Sequence, residues 1–206
     1  MSVCSDSSRG SLSSNTGSSG GLFDFGSING IKVEKNHIYF YTEISRDSIR
    51  ELNKALRETE TYCLNLMREM SIRKVRIYLH INSDGGCIFS AFNAIDAMNA
   101  CTIPIYSIIE GSTASAGTLI SVCAQKRFIR PNAHMLIHQL TSGCWGKMNE
   151  IEDNYINLKY IMSRIRKIYG DKTTMSKSEL KKLLKRDLWL NSDECIESGL
   201  VDGLWE

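Results

Sequence analysis

Apolar positions along the chain follow two rhythms, one of period two and one of period 3.6, and the rhythm changes at almost every polar break. IKVE (Ile31 to Glu34) and HIYFY (His37 to Tyr41) are short β-rich runs parted by Lys35 and Asn36, the pattern of two strands with a tight connection. From Asp47 to Met70, Ile49, Leu52, Leu56, Cys63, Leu66 and Met70 recur at three- and four-residue intervals, which predicts an amphipathic helix. VRIYLHI, Val75 to Ile81, alternates and is β-branched, a strand that stops at Asn82-Ser83-Asp84-Gly85-Gly86. The order then repeats: a helix over Ile88 to Ala100, a strand over Ile103 to Ile109, a small-residue loop through Gly111-Ser112-Thr113-Ala114-Ser115, a helix from Ser115 to Ala124, and strands at Arg127 to Ile129 and Met135 to His138. A long helix over Met148 to Tyr169 carries Ile151, Tyr155, Leu158, Ile161, Met162, Ile165 and Ile168 on one side. Gly170 is expected to close it, and Ser176 with Glu179 forms a capping box that opens another short helix. Strands and helices alternating at this spacing predict an α/β fold with crossover connections.

Composition narrows the class. A chain of 206 residues, 42% hydrophobic and 23% charged, has enough apolar surface for one core. Residues 1–21 are mostly Ser and Gly with no periodic apolar positions, so they read as a flexible tail, with residues 22–206 as the single domain. The 25 basic and 23 acidic residues are too balanced to attach the protein to nucleic acid or to a membrane through a basic field. There is no apolar run of about eighteen residues and no basic-then-apolar leader, so the expectation is a non-secreted, cytoplasmic protein. The Ser-rich start is the one feature that fits a mitochondrial or plastid transit peptide, but Arg9 is its sole basic residue. The seven cysteines are scattered and never spaced as CxxC; neither a disulfide framework nor a zinc knuckle is expected. With no Walker A sequence, dinucleotide fingerprint or HExxH, no cofactor is expected either.

Acyl transfer by a serine needs a nucleophile, a base, a group that orients the base, and N–H donors for the oxyanion. The chain offers candidates for each. Ser115 lies among small residues at a helix start, where a carbonyl can approach and backbone N–H groups favour negative charge, although an isolated serine before a helix is far more often a plain N-cap. His138 ends the strand MLIH; His134, an even number of positions away, shares its face and competes with it. Asp187, in KRDLW, is by itself a solvated charge, and Asp171, Asp193 and Asp202 stand equal to it. Gly85 and Gly86 allow positive φ and a close approach of substrate, though two glycines after a strand are commonly a turn and nothing more.

These pieces together resemble one family. INSDGGCIFSAFNAIDAMN is similar to the strand, Gly-Gly turn and helix of Clp protease proteolytic subunits, GSTASAG to their nucleophile loop, KRFIRPNAHMLIHQ to their histidine strand, and KRDLWLNSDECIESGLVDGLWE to their closing segment. The resemblance runs in order from about Ile31 to Leu204. It implies Ser115 as nucleophile, His138 rather than His134 as general base, Asp187 as the group orienting it, and the N–H groups of Gly86 and Ala116 as oxyanion donors. It implies substrate contacts at Gly85, Gly143, Cys144 and Trp145, the last three in a strand that binds extended polypeptide at a ring interface. The implied fold is a crotonase-like spiral of ββα units, with Met148 to Tyr169 as a protruding handle helix. The implied assembly is a homo-oligomer of two stacked heptameric rings that degrades unfolded polypeptide delivered by an ATPase unfoldase, ATP being used only by that partner. Asp84 and Leu140 stand where the family has prolines, and the Ser/Gly tail replaces the segment that engages the unfoldase. A non-catalytic ring subunit and a crotonase-type acyl-CoA enzyme are the alternative expectations.

Overall fold

The computed structural model describes Met1 and residues 30–206; the expected tail, Met1 apart, lies outside the described residues. Two antiparallel strands, β1 (Ile31–Glu34) and β2 (His37–Phe40), open the fold. Helix α1 (Arg46–Glu69) follows, then β3 (Ile77–Ser83), α2 (Ile88–Ala100), β4 (Ile105–Ala114), α3 (Ala116–Val122), β5 (Lys126–Ile129) and β6 (His134–Leu136). The chain ends with α4 (Met148–Lys172), α5 (Lys177–Leu183), α6 (Ser192–Glu197) and β7 (Gly203–Leu204). The strands form one sheet in the order β1-β2-β3-β4-β5-β7, with β6 joined to β4 off that path; every pairing from β2 onward is parallel. The α/β fold expected from the alternating pattern is the one found.

Strand β4 forks. Its first half, Tyr106 to Ile109, pairs with β5, and its second half, Ser112 to Ala114, pairs with β6. Between them Gly111 has φ +64°, and a Cβ there would stand 2.9 Å from Asn82 Nδ2, so the bend requires glycine. The residues expected as a loop, Gly111 to Ala114, are therefore strand. The ladder partners of Ser112 to Ala114 are His134 to Leu136, out of reach of a local pattern. In a second departure, Gly170 does not close α4, which runs on to Lys172; the neighbouring Tyr169 is fully buried, and that burial outweighs the helix cost of one glycine, about 1 kcal/mol. Short α6 and β7 were not expected at all.

One sheet face is the core. Ile38, Phe40, Ile77, Leu79, Ile81, Ile105, Ile109 and Ile129 are buried beneath α1, α2 and α3. Helix α1 contributes Ile49, Leu52, Leu56 and Cys63 at the expected spacing, α2 contributes Ile88, Ala91, Ala94, Ile95 and Met98, and all of α3 is buried. Five cysteines, Cys63, Cys101, Cys123, Cys144 and Cys195, are free thiols. Cys87 is disulfide-bonded, a departure from the expected set of thiols that no CxxC spacing could have indicated. Among the described residues no helix is long and apolar enough to cross a membrane.

The opposite sheet face is aromatic. His37 stacks on Tyr78 at 4.7 Å and Tyr39 on His80 at 4.4 Å, while Phe128 meets Trp205 at 5.3 Å. A polar chain is threaded through it: His37 Nδ1 lies 2.9 Å from His80 Nε2, and His80 Nδ1 3.1 Å from Glu110 Oε1, which also accepts from Arg130 Nε at 3.1 Å. A carboxylate only accepts, so His80 carries its proton on Nδ1, accepts on Nε2, and receives the Nδ1–H of His37. Burial is the main reason that both imidazoles titrate below the ordinary histidine value.

The sign of the pH effect follows. Above about 6.5 both imidazoles are neutral whether the chain is folded or unfolded; below it the unfolded chain takes up protons first, so stability is lost as pH falls from about 6.5 through the lowered folded values. The urea midpoint should be lower at pH 5.5 than at pH 7.5, and replacing both His37 and His80 with Gln should flatten that dependence.

Candidate active site

Ser115 sits where β4 hands over to α3. Its backbone is strained, at φ 58° and ψ −125°, a region that costs a non-glycine residue about 1–3 kcal/mol. Four hydrogen bonds hold it there. The Ser115 N–H donates to Leu136 O of β6 at 2.8 Å; Thr118 donates to Ser115 O from its N–H at 3.2 Å and from its hydroxyl at 2.6 Å; and the Tyr169 hydroxyl lies 2.6 Å from Thr118 Oγ1. Because the single Thr118 hydroxyl proton goes to Ser115 O, the Tyr169 hydroxyl is the donor in the last pair. Burial pushes the Tyr169 phenol up, so it keeps the proton that it donates.

The Ser115 side chain does not cap α3. Its Oγ points to His138 Nε2, 2.9 Å away, which separates it from the plain N-cap serine that local sequence favours. Strand β6 is shorter than expected and ends at Leu136, leaving His138 two residues beyond it, level with the nucleophile turn. His134 is exposed at the other end of β6, its Nδ1 3.2 Å from Asn132 O, away from Ser115.

The closing segment then runs antiparallel beside this strand. Met135 and Leu190 exchange backbone hydrogen bonds at 2.9 and 2.8 Å, and Gln139 N–H donates to Leu184 O at 2.8 Å. That clamp carries Asp187 past His138: Asp187 Oδ1 is 3.8 Å from His138 Nδ1, and its side chain is 82% exposed. The separation exceeds a hydrogen bond. The other acids are engaged elsewhere, Asp171 with Lys167 at 2.7 Å and Asp202 with Arg127 at 2.5 Å, while Asp193 lies in the first turn of α6.

The Gly-Gly turn closes the site from β3. Gly85 has φ +94°, and a Cβ there would stand 2.6 Å from Ser115 Cβ and 2.9 Å from Ala116 N; only glycine fits against the serine. The turn is fastened by Ile44 N–H to Gly85 O at 2.7 Å and Cys87 N–H to Ile44 O at 2.8 Å, bonds that do not use the Gly86 N–H. Ala116 is the first residue of α3, so its N–H has no partner within the helix. A cavity of about 590 Å³ opens over these groups, lined by Tyr41, Thr42, Glu43, Asn82, Ser83, Asp84, Gly85, Gly86, Ser115, His138, Thr141 and Met1. The Met1 amino group lies 3.1 Å from His138 Nε2, and Met1 O accepts from Thr141 N–H at 2.8 Å. The His138 imidazole titrates below its ordinary value, first because it is half-buried and next because of the Met1 amino charge, against the opposing pull of Asp187.

Gly143, Cys144 and Trp145 are not part of this cavity. They lie in an exposed loop with no strand, Trp145 being fully exposed; the strand that the resemblance implies there has no ladder partner among the described residues. Conversely, Tyr41, Glu43, Thr118, Thr141 and Tyr169 were not singled out from sequence. Tyr169 was passed over because a residue on a helix face does not announce which hydroxyl it will meet. Among the described residues, no group of three or more His, Cys, Asp or Glu side chains is placed to hold a metal ion.

An α/β sheet that delivers a serine on a strained strand-to-helix turn to an imidazole is the framework of serine acyl-transfer chemistry. The family model for Clp protease matches residues 33–206, and the chain belongs to the Clp protease family. Over 153 residues it is 37% identical to the ATP-dependent Clp protease proteolytic subunit 2 of Treponema denticola, covering 73% of this chain and 76% of the relative. Over 134 residues it is 34% identical to the proteolytic subunit 2 of Pseudomonas aeruginosa, covering 64% and 67%. Over 128 residues it is 30% identical to the proteolytic subunit 1 of Chlamydia muridarum, covering 60% and 67%.

Tyr169 reaches Ser115 only through Thr118, so Tyr169→Phe should remove one buried hydrogen bond and leave the Thr118 bonds to Ser115 O in place. The expected loss is about 1 kcal/mol, read as a fall of about 2–4 °C in the thermal midpoint for a domain of this size.

Proposed function

We propose that this chain is the proteolytic subunit of a Clp-type machine, a serine endopeptidase that cleaves unfolded polypeptide through an acyl-enzyme. The observation that carries the reading is the 2.9 Å contact between Ser115 Oγ and His138 Nε2 at a turn held in positive φ. Ser115 Oγ attacks the scissile carbonyl carbon while its proton passes to His138 Nε2. The oxyanion lies against the N–H groups of Gly86 and Ala116. The C–N bond then breaks, and the same proton goes from His138 to the leaving amine. Water enters, gives a proton to His138 and attacks the ester; the acid departs and the proton returns to Ser115. Asp187 orients the Nδ1–H of His138 and supports the imidazolium once it closes the gap by about 1 Å to hydrogen-bond range. No cofactor takes part in these steps.

The assembly is part of the proposal. Met148, Ile151, Tyr155, Ile156 and Tyr160 are exposed apolar residues on α4, a handle suited to packing between subunits. In two stacked rings the loop of Gly143, Cys144 and Trp145 would pair with extended substrate as an added strand. An ATPase unfoldase supplies the polypeptide, and a cytoplasmic location goes with this reading. The second reading, a non-catalytic ring subunit, draws on the 3.8 Å gap and the exposure of Asp187.

Fluorophosphonate should label the wild-type chain and not Ser115→Ala, and peptide cleavage by that variant should fall at least about 1,000-fold. Equal labelling of the two contradicts Ser115 as the nucleophile, and no labelling of either decides for the second reading.

The base works only when neutral. Since burial lowers the His138 pKa, the labelling rate should be at its plateau at pH 7 and fall only as pH drops below about 6.5. An acid limb centred above that value would contradict the assignment of His138.

A further inference from the structure

The amino group of Met1 lies in the cavity over Ser115, 3.1 Å from His138 Nε2, the same nitrogen that stands 2.9 Å from Ser115 Oγ. Met1 is held there at two further points. Its carbonyl accepts from Thr141 N–H at 2.8 Å, and the residue is buried, packed into the hydrophobic core. The contact is also electrostatic. Burial lowers the pKa of the Met1 amino group while Asp187 raises it, and the amino charge in turn helps to lower that of His138.

A neutral imidazole carries one N–H and one nitrogen lone pair. With Nδ1–H turned towards Asp187, the lone pair on Nε2 takes one donor at a time, and both the Ser115 hydroxyl and the Met1 amino group are within reach of it. While Met1 holds that lone pair, Ser115 has no base and its oxygen stays a weak nucleophile. The position also has a chemical meaning. As the acyl-enzyme forms, the base gives its proton to the departing amine, so a newly made amino terminus stands beside Nε2, where the Met1 amino group stands.

We propose that the leaving-group side of this cavity is a binding site for a free polypeptide amino terminus with a long apolar first side chain, and that Met1 fills it, taking the lone pair that Ser115 needs. This rests on the peptidase reading and adds a self-inhibitory contact to it. Substrate displaces Met1, so the wild-type chain still reacts, but more slowly than a chain with the site vacant.

The test uses the full chain, with Met1 confirmed by intact mass, beside a form carrying two extra glycines before Met1, which moves the free amino group out of the site. Fluorophosphonate should label the extended form about tenfold faster, as expected if Met1 leaves the site open about one-tenth of the time. In peptide cleavage the extension should lower KM and leave kcat unchanged, because Met1 competes with substrate. The tripeptide amide Met-Ser-Val, which repeats the start of the chain, should slow labelling of the extended form when added in excess, and its N-acetyl counterpart should not. Equal labelling rates for the two forms, or a free tripeptide that slows labelling no more than the acetylated one, overturns the site. Labelling at equal rates removes the Met1 contact alone, whereas no labelling of either form removes the peptidase reading and this site with it.

Discussion

Ser115 is held in a backbone conformation that it would not adopt alone, and the rest of the site depends on that restraint. The strain of about 1–3 kcal/mol is opposed by the bond from Ser115 N–H to Leu136 O and by the Thr118 and Tyr169 hydroxyls behind the turn. Each net hydrogen bond contributes about 1 kcal/mol, so together they are of the size needed. The arrangement draws on β4, β6, α3 and α4, which is why the geometry belongs to the folded chain and not to the GSTASAG segment.

The fork at Gly111 makes this possible. A strand that continued straight would keep pairing with β5 and carry Ser115 away from His138. Turning at φ +64° lets Ser112 to Ala114 pair with β6 instead, and His138 follows directly on β6. The Gly85 turn then packs against Ser115 with no room for a side chain. Glycine is thus required twice, once to bend a strand and once to let two backbones approach.

The two sheet faces serve different ends. The apolar face, buried under three helices, supplies most of the hydrophobic stabilisation, while the aromatic face holds a histidine pair in one tautomeric arrangement through Glu110. The site lies at the rim, beyond the C-terminal ends of β3 and β4, where parallel sheets expose loops that can carry chemistry. Its least constrained member is Asp187, brought alongside His138 by backbone bonds of the closing segment but left largely in solvent.

The sequence by itself determined the element order, the apolar face of α1, the capping box at Ser176, and, through resemblance, which serine, histidine and aspartate to consider. Those features were legible because each depends on residues a few positions apart. Residue patterning left His134 level with His138 and Asp187 level with Asp171, Asp193 and Asp202, and it read Gly111 to Ala114 as loop and Gly170 as a helix stop, while the resemblance implied a strand at Gly143 to Trp145. Tertiary structure decided those points: β6 gave Ser112 to Ala114 a ladder partner, Tyr169 found a buried hydroxyl that carried α4 past Gly170, and the Gly143 segment joined no strand among the described residues. Each outcome depended on a partner distant in sequence, and periodicity holds no record of partners beyond its own span.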